Sequence, residues 1–247
     1  MKYRAEIDGL RALAVVPVIL FHAGFEGFSG GFVGVDVFFV ISGYLITTIL
    51  AEDIEKQRFS IIDFYERRAR RIFPALFFMM LFCIPFAWMW MLPDPLENFG
   101  QSIVATTLFA NNVLLMITTG YWDLASEFKP LLHTWSLGVE EQYYVIFPLL
   151  MLAGWKFGKK SVVGMIIALA LLSLAVSELG SSRFPDANFY LITSRAWELL
   201  AGAVAAFWVQ KYGVRSNEGL ALLGLLGVVF SVVAYDAATP FPGLYAL

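Results

Sequence analysis

The chain consists of long apolar stretches separated by short polar connections. A membrane-spanning helix needs about 20 mostly apolar residues, and eight stretches approach that length. They cover residues 10–26, 34–51, 72–92, 99–117, 139–154, 161–177, 190–209 and 217–235. The fourth is the least apolar, because Asn111, Asn112 and other polar residues interrupt it. The pattern predicts an all-α, polytopic bundle of transmembrane helices.

The composition supports a protein embedded in a lipid bilayer. Of the 247 residues, 59% are hydrophobic and 15% are charged, whereas soluble domains are about 45–50% apolar and about 25% charged. No stretch is basic enough to indicate a nucleic-acid partner, and we expect no bound metal or cofactor. The single cysteine, Cys83, excludes an intramolecular disulfide. The first apolar run lacks an A-x-A-like cleavage site, so we expect a retained helix rather than a signal peptide.

The distribution of Lys and Arg predicts the topology. Basic residues concentrate before the first helix and in the connections 51–71, 156–160 and 210–215, and such loops are normally cytoplasmic. If 99–117 crossed the membrane, the last two connections would lie outside. We therefore expect 99–117 to enter from the outer side and return, or to pack as an interfacial helix. This leaves about seven spans, with the N-terminus in the cytoplasm.

The first helix contains two ionisable residues, Arg11 and His22. At 100° per residue, eleven residues place both on one helix face, about 16 Å apart along the axis. Charges within membrane helices usually face a cavity or a partner. From position alone, however, the favoured interpretation is an arginine that reaches the inner headgroups and a satisfied core histidine.

The second helix carries Asp36 near its outer end. Because a short loop joins the first two helices, they should be antiparallel neighbours, and Asp36 could contact His22 at the same depth. Such a carboxylate would fix the imidazole tautomer and raise its basicity. The alternative is that Asp36 caps its own helix. Ser42 follows near the middle of the membrane, beside Gly43, which permits close packing or approach of a ligand.

Three further groups of polar residues accompany the later helices. Four arginines precede the third helix and could bind phosphate or anionic lipid: Arg67, Arg68, Arg70 and Arg71. A dense group of polar residues follows the fourth stretch: His133, Glu140, Glu141 and Tyr144. A belt of aromatic residues at the membrane interface and acidic residues at the start of a helix would explain only part of this group. Arg195 and Glu198, at i,i+3, form either a functional pair or a self-neutralising one.

Five motifs occur in an order that resembles membrane acyltransferase family 3. They are the Arg11-x10-His22 pair, GGFVGVDVFFVISGYLI, ERRARRIFPAL, HTWSLGVEEQYYVIFP and SRAWELLAGA. The family includes O-acetyltransferases of bacterial O-antigen, peptidoglycan and exported polysaccharides. The resemblance covers residues 3–247 as one domain and is greatest to enzymes that modify lipopolysaccharide O-antigen or a related surface glycan. Further spans and an SGNH-type domain found in many members are not in this sequence, so we expect a C-terminally truncated member.

The resemblance implies roles for the polar residues. Acetyl-CoA, or another acyl-CoA, would bind on the cytoplasmic side of the bacterial inner membrane at Arg11 and at the arginine cluster. The family's arginine motif matches either Arg68 and Arg71 or Arg67 and Arg70.

His22, oriented by Asp36, would act as general base on a hydroxyl of a surface polysaccharide or lipid-linked glycan. On the acceptor side, the site would be shaped by His133, Glu140 and Tyr144. A place on the acceptor side or a structural role is expected for Ser42, Glu141, Arg195 and Glu198. A non-sugar acceptor remains an alternative, as does a transporter or channel, since hydropathy alone also fits a transport bundle.

Overall fold

The apolar stretches fold as α-helices in a computed structural model that describes residues 4–118, 128–236 and 239–247. Helices and short 3-10 turns are the regular elements of these ranges, and no strand occurs in them. The helices are α1 (Ala5–His22), α2 (Gly34–Glu55), α3 (Ile61–Trp90), α4 (Pro93–Thr107), α5 (Asn111–Ile117), α6 (Thr134–Trp155), α7 (Lys159–Ser181), α8 (Pro185–Tyr190), α9 (Ile192–Tyr212) and α10 (Glu218–Ala234). The all-α prediction is confirmed.

Three of the described helices are long and apolar enough to cross a membrane: α2 with its preceding 3-10 turn, α3 and α7. The shorter helix α10 is also apolar. In the most apolar window of α2, 56% of the residues are buried, against 17% in α3 and 22% in α7. Helix α2 is therefore the most enclosed of the three. The count of seven spans and the orientation of the N-terminus stay predictions.

The chain divides into two compact units. Unit 1 comprises Met1–Glu52, Met151–Phe189 and Thr193–Leu247, and unit 2 comprises Asp53–Leu150 and Tyr190–Ile192. In unit 1, α2 and α9 come into backbone contact at two glycines. A Cβ atom on Gly43 would overlap the carbonyl of Leu199, and one on Gly202 would overlap the carbonyl of Val40. These glycines let the two helices approach closely, as small residues do in membrane bundles.

In unit 2, helix α3 begins eleven residues before the predicted start at residue 72. Ser60 caps it, with its hydroxyl accepting a hydrogen bond from the backbone N–H of Asp63 at 3.3 Å. The prediction was wrong here because the first three turns are charged, which hides them from a hydropathy threshold. As a result, the arginines at 67–71 lie on the helix rather than in a preceding connection.

No continuous helix covers 99–117. Helix α4 ends at Thr107, Phe109 adopts a left-handed backbone conformation with φ 53°, and α5 starts at Asn111. Side chains of unit 2 hold this break: Asn112 Nδ2 donates to the carbonyl of Tyr190 at 3.0 Å, and Gln142 Nε2 donates to the carbonyl of Phe109 at 2.9 Å. The segment therefore folds as two short helices, and the prediction that it does not cross the membrane stays a prediction.

Candidate functional site

His22 is the last residue of α1 and is exposed. Its Nδ1 atom lies 2.8 Å from the carbonyl oxygen of Val18, one helical turn earlier. Because a carbonyl can only accept, this contact requires the proton to be on Nδ1, which leaves Nε2 of the neutral ring as the acceptor. The side chain is thus presented at the helix end with a nitrogen that can take a proton.

Asp36 does not orient His22, and that part of the prediction was wrong. The carboxylate is buried, with the residue 4% exposed, and Oδ1 accepts a hydrogen bond from Arg195 Nη1 at 2.6 Å. A guanidinium is a stronger partner for a buried carboxylate than an imidazole at an exposed helix end. The backbone of Val18, not the side chain of Asp36, fixes the tautomer of His22.

Arg195 binds both α2 and its own helix. The same Nη1 atom that contacts Asp36 also donates to Glu198 Oε1 at 3.1 Å, and Nε donates to the carbonyl of Phe189 at 3.1 Å. The rings of Phe189 and Phe241 lie 4.9 and 5.2 Å from the guanidinium carbon. The predicted pair of Arg195 and Glu198 is therefore real, but it is part of a three-residue cluster rather than a self-contained pair.

This cluster is fully enclosed: Arg195 is 1% exposed and Glu198 is 0% exposed. A buried charge is costly unless it is paired, and one guanidinium here serves two carboxylates. The second oxygens, Asp36 Oδ2 and Glu198 Oε2, are also buried. Such burial, with no access for a large substrate, favours a role in joining α2 to α9 within unit 1.

Arg68 projects from α3 onto α6 in unit 2. Its guanidinium carbon lies 4.2 Å from the centre of the Tyr144 ring and 5.9 Å from that of Phe64. The hydroxyl of Tyr144 in turn donates to a carboxylate oxygen of Glu140. A cation over an aromatic face is worth about 0.5–2 kcal/mol, with the higher value for desolvated sites.

Glu141 lies beside this group. The residue is 7% exposed, and its Oε1 atom is buried without a hydrogen-bond partner in the part of the chain that the structure describes. The positive charges of Arg68 and Arg71 both act on it. Glu140, Glu141 and Tyr144 therefore belong with the arginines. The sequence predicts the arginines on the cytoplasmic side and Glu140 and Tyr144 on the acceptor side or in a structural role. The structure brings Arg68 and Tyr144 together, and the sides of the membrane stay predictions.

The structure also distinguishes the two arginine pairs that the sequence left open. Arg68 and Arg71 share the helix face that interacts electrostatically with Glu141, whereas Arg70 pairs with Glu66 at 2.6 Å on an exposed face. Arg67 is exposed. Arg68 and Arg71 are thus the better placed of the two R-x-x-R pairs.

The remaining candidates are Arg11, His133 and Ser42. Arg11 is half-buried and lies 3.5 Å from Asp8, one turn earlier on α1. His133 is exposed immediately before α6, where its carbonyl accepts from the hydroxyl of Ser136. Ser42 is buried on α2.

Sequence reasoning missed the structural role of the amides around the α4–α5 break. Asn112 is 0% exposed, and Gln142 Nε2 donates to its Oδ1 at 2.9 Å. The sequence did contain a signal for this role, because two adjacent amide side chains lie inside an apolar run. Buried amides must find hydrogen-bond partners.

Known proteins identify the family of this chain. The model of the acyltransferase domain matches residues 4–245. The chain belongs to acyltransferase family 3. The chain is 35% identical, over 99% of its length, to the peptidoglycan O-acetyltransferase OatA of Listeria monocytogenes. It is 31% identical, over 92% of its length, to the O-acetyltransferase OatA of Staphylococcus aureus.

These relatives are much longer than the chain, which spans 40% of the Listeria protein and 38% of the Staphylococcus protein. No solved structure matches the chain significantly. The resemblance inferred from the five motifs is therefore confirmed at the level of the family. The roles of individual residues rest on the geometry described above.

Proposed function

We propose that the chain is the membrane domain of an O-acetyltransferase that moves an acetyl group from acetyl-CoA to a hydroxyl of a cell-surface glycan. The observation that carries this proposal is the acyltransferase-domain match across residues 4–245. The printed name of the Listeria relative supports peptidoglycan as the acceptor. We therefore place peptidoglycan ahead of the lipopolysaccharide O-antigen favoured by the motifs. The proposed location is the bacterial plasma membrane, with the N-terminus in the cytoplasm.

His22 is the proposed general base. With Nδ1–H directed at the Val18 carbonyl, Nε2 can accept the proton of the attacking glycan hydroxyl. The hydroxyl oxygen forms a bond to the acetyl carbon, the carbon–sulfur bond of the thioester breaks, and the thiolate of CoA takes up a proton. The products are an acetyl ester and free CoA. General-base assistance of this kind contributes about 10²–10⁴-fold to a rate.

The test is transfer of radiolabelled acetyl from acetyl-CoA in membranes that contain the protein, with peptidoglycan fragments and O-antigen as separate acceptors. We expect labelled ester on the peptidoglycan fragments. His22→Ala should reduce transfer by about 10²–10⁴-fold, and added imidazole should restore part of it because the site is exposed. Ile19→Ala removes an exposed side chain from the same end of α1 and should transfer normally.

Each result has a separate meaning. Label on O-antigen alone would overturn the choice of peptidoglycan but not the acyl transfer. Full activity of His22→Ala would refute the role of His22. Absence of acceptor-dependent CoA release, despite correct insertion of the protein into the membrane, would refute the proposed function.

A further inference from the structure

Helix α3 is longer than the hydrocarbon core of a membrane is thick. Its 30 residues span about 45 Å at 1.5 Å per residue, whereas the hydrocarbon core of a bilayer measures about 30 Å. The apolar part of the helix, residues 72–90, accounts for about 28 Å of this length. The charged residues 61–71 therefore extend beyond the hydrocarbon core, and those nearest to residue 72 lie at the depth of the lipid headgroups.

The apolar part of α3 exposes a continuous row of large side chains, which we call the apolar surface of α3. In the most apolar window of the helix, only 17% of the residues are buried. The exposed side chains are Phe77, Phe78, Leu81, Phe82, Trp88 and Trp90. Soluble monomers rarely expose apolar patches of this extent, and lipid tails are as apolar as these side chains. Acyl chains therefore suit this surface.

Two exposed arginines lie at the charged end of this surface. Arg67 and Arg71 are four residues apart on α3, so their side chains are neighbours on one helix face. Arg71 also interacts electrostatically with Glu141, whereas Arg67 forms no hydrogen bond or ion pair with a residue of the described ranges. Like charges at this spacing repel each other. An anion between the two guanidiniums would remove that repulsion.

The acidic residues at this end of α3 do not neutralise Arg67. Glu66 pairs with Arg70 at 2.6 Å. Asp63 lies one turn farther from the apolar surface and forms no ion pair within the part of the chain that the structure describes. Arg67 is therefore available to an anion outside the protein, at the depth where the phosphates of membrane lipids lie.

We propose that α3 binds an anionic phospholipid, with the headgroup phosphate between Arg67 and Arg71 and the acyl chains along the apolar surface. A guanidinium suits this role because it donates two parallel hydrogen bonds to a phosphate. A zwitterionic lipid gains less, since its headgroup also carries a positive charge that the arginines repel. Each arginine should favour the anionic lipid about fivefold, the equivalent of about 1 kcal/mol. This site is separate from the proposed acetyl transfer and does not depend on it.

A fluorescent label on the apolar surface tests the proposal. In the Cys83→Ser protein, bimane is attached at Phe78→Cys, an exposed position about 16 Å along the helix from Arg67. The labelled protein is reconstituted into phosphatidylcholine vesicles that contain brominated phosphatidylglycerol or brominated phosphatidylcholine, whose bromine atoms quench bimane on contact. Phosphatidylglycerol should be preferred about fivefold or more. A label at Trp88→Cys, about 30 Å from Arg67 on the same helix, should show no preference.

Two matched variants identify the charge that is responsible. Arg67→Ala should reduce the preference for phosphatidylglycerol at the Phe78→Cys label about fivefold. The double variant Glu66→Ala with Arg70→Ala removes an exposed pair without changing the net charge, and it should change the preference by less than about twofold. Equal losses in the two variants would overturn the assignment to Arg67. If Phe78→Cys does not insert, the exposed Leu81→Cys carries the label instead.

A soluble phosphate ester distinguishes a lipid site from a site for a free anion. Glycerol 3-phosphate carries the phosphate without acyl chains, and at constant ionic strength it should leave the quenching by phosphatidylglycerol unchanged. Displacement of the lipid by glycerol 3-phosphate would show that the arginines bind a soluble phosphate and would overturn the proposal. Equal quenching by the two brominated lipids would also overturn it, because the apolar surface would then hold lipids without regard to their charge.

Discussion

Replacing Arg195 with methionine would leave two buried carboxylates, on α2 and α9, without the guanidinium that they share. In the structure, Arg195 Nη1 lies 2.6 Å from Asp36 Oδ1 and 3.1 Å from Glu198 Oε1, and all three side chains are at most 5% exposed. Removing one partner of a buried ion pair costs about 3–5 kcal/mol, because the remaining charge is uncompensated. For a chain of this length, that corresponds to a fall of about 6–20 °C in melting midpoint.

The chain offers a matched control for this effect. Arg70 and Glu66 are also 2.6 Å apart, but their side chains are 79% and 53% exposed. An exposed pair of this kind contributes at most about 1 kcal/mol. Arg70→Met should therefore shift the melting midpoint by no more than about 4 °C. The two substitutions remove the same side chain and differ in burial.

Thermal unfolding is measured on the detergent-solubilised protein, and the readout is the fraction of protein that remains monodisperse. A triple variant, Arg195→Met with Asp36→Asn and Glu198→Gln, removes the uncompensated charge and should recover most of the loss. Equal shifts for Arg195→Met and Arg70→Met would refute the argument that burial makes this cluster a structural joint. So would a triple variant as unstable as Arg195→Met alone.

Two further predictions concern the helix contacts. Arg68→Ala should lower the melting midpoint by the equivalent of about 0.5–2 kcal/mol, because it removes a cation from an aromatic face, whereas the exposed Arg67→Ala should not; equal shifts would contradict the assignment. Gly43→Ala places a methyl group against backbone of α9 and should cost about 1–3 kcal/mol. Gly164→Ala on α7 meets open space and should be neutral or stabilising by up to about 1 kcal/mol; the reverse order would contradict the packing.

Hydropathy predicted the helical class and the positions of most helices, because burial in lipid imposes an apolar length on each segment. It failed at the start of α3, where charged residues extend the helix beyond the apolar run. Charge counting predicted that the segment 99–117 does not cross the membrane, but it did not locate the break between α4 and α5. The hydrogen bonds that hold the break join residues up to 78 positions apart, and helical periodicity contains no information about such pairs.

Partners of the ionisable residues were the least predictable part. Asp36 and Arg195 are 159 positions apart, and a short loop made His22 the obvious partner for Asp36. That inference neglected competition: a buried carboxylate pairs with whichever cation best offsets its desolvation. The contact of His22 with Val18, by contrast, spans one helical turn and could have been predicted from helix geometry alone.

The observed partners give Asp36 and His22 separate roles, whereas the sequence analysis had predicted that they act together. If Asp36 oriented His22, loss of either residue would impair the chemistry in the same way. In the structure, the tautomer of His22 depends on a backbone carbonyl, which no side-chain substitution removes, and Asp36 belongs to the buried cluster with Arg195. It follows that Asp36→Asn should act through stability, whereas His22→Ala should act on acetyl transfer in a protein that is otherwise stable. Asp36→Asn retaining normal melting while losing transfer as completely as His22→Ala would restore the direct pairing that the structure rejects.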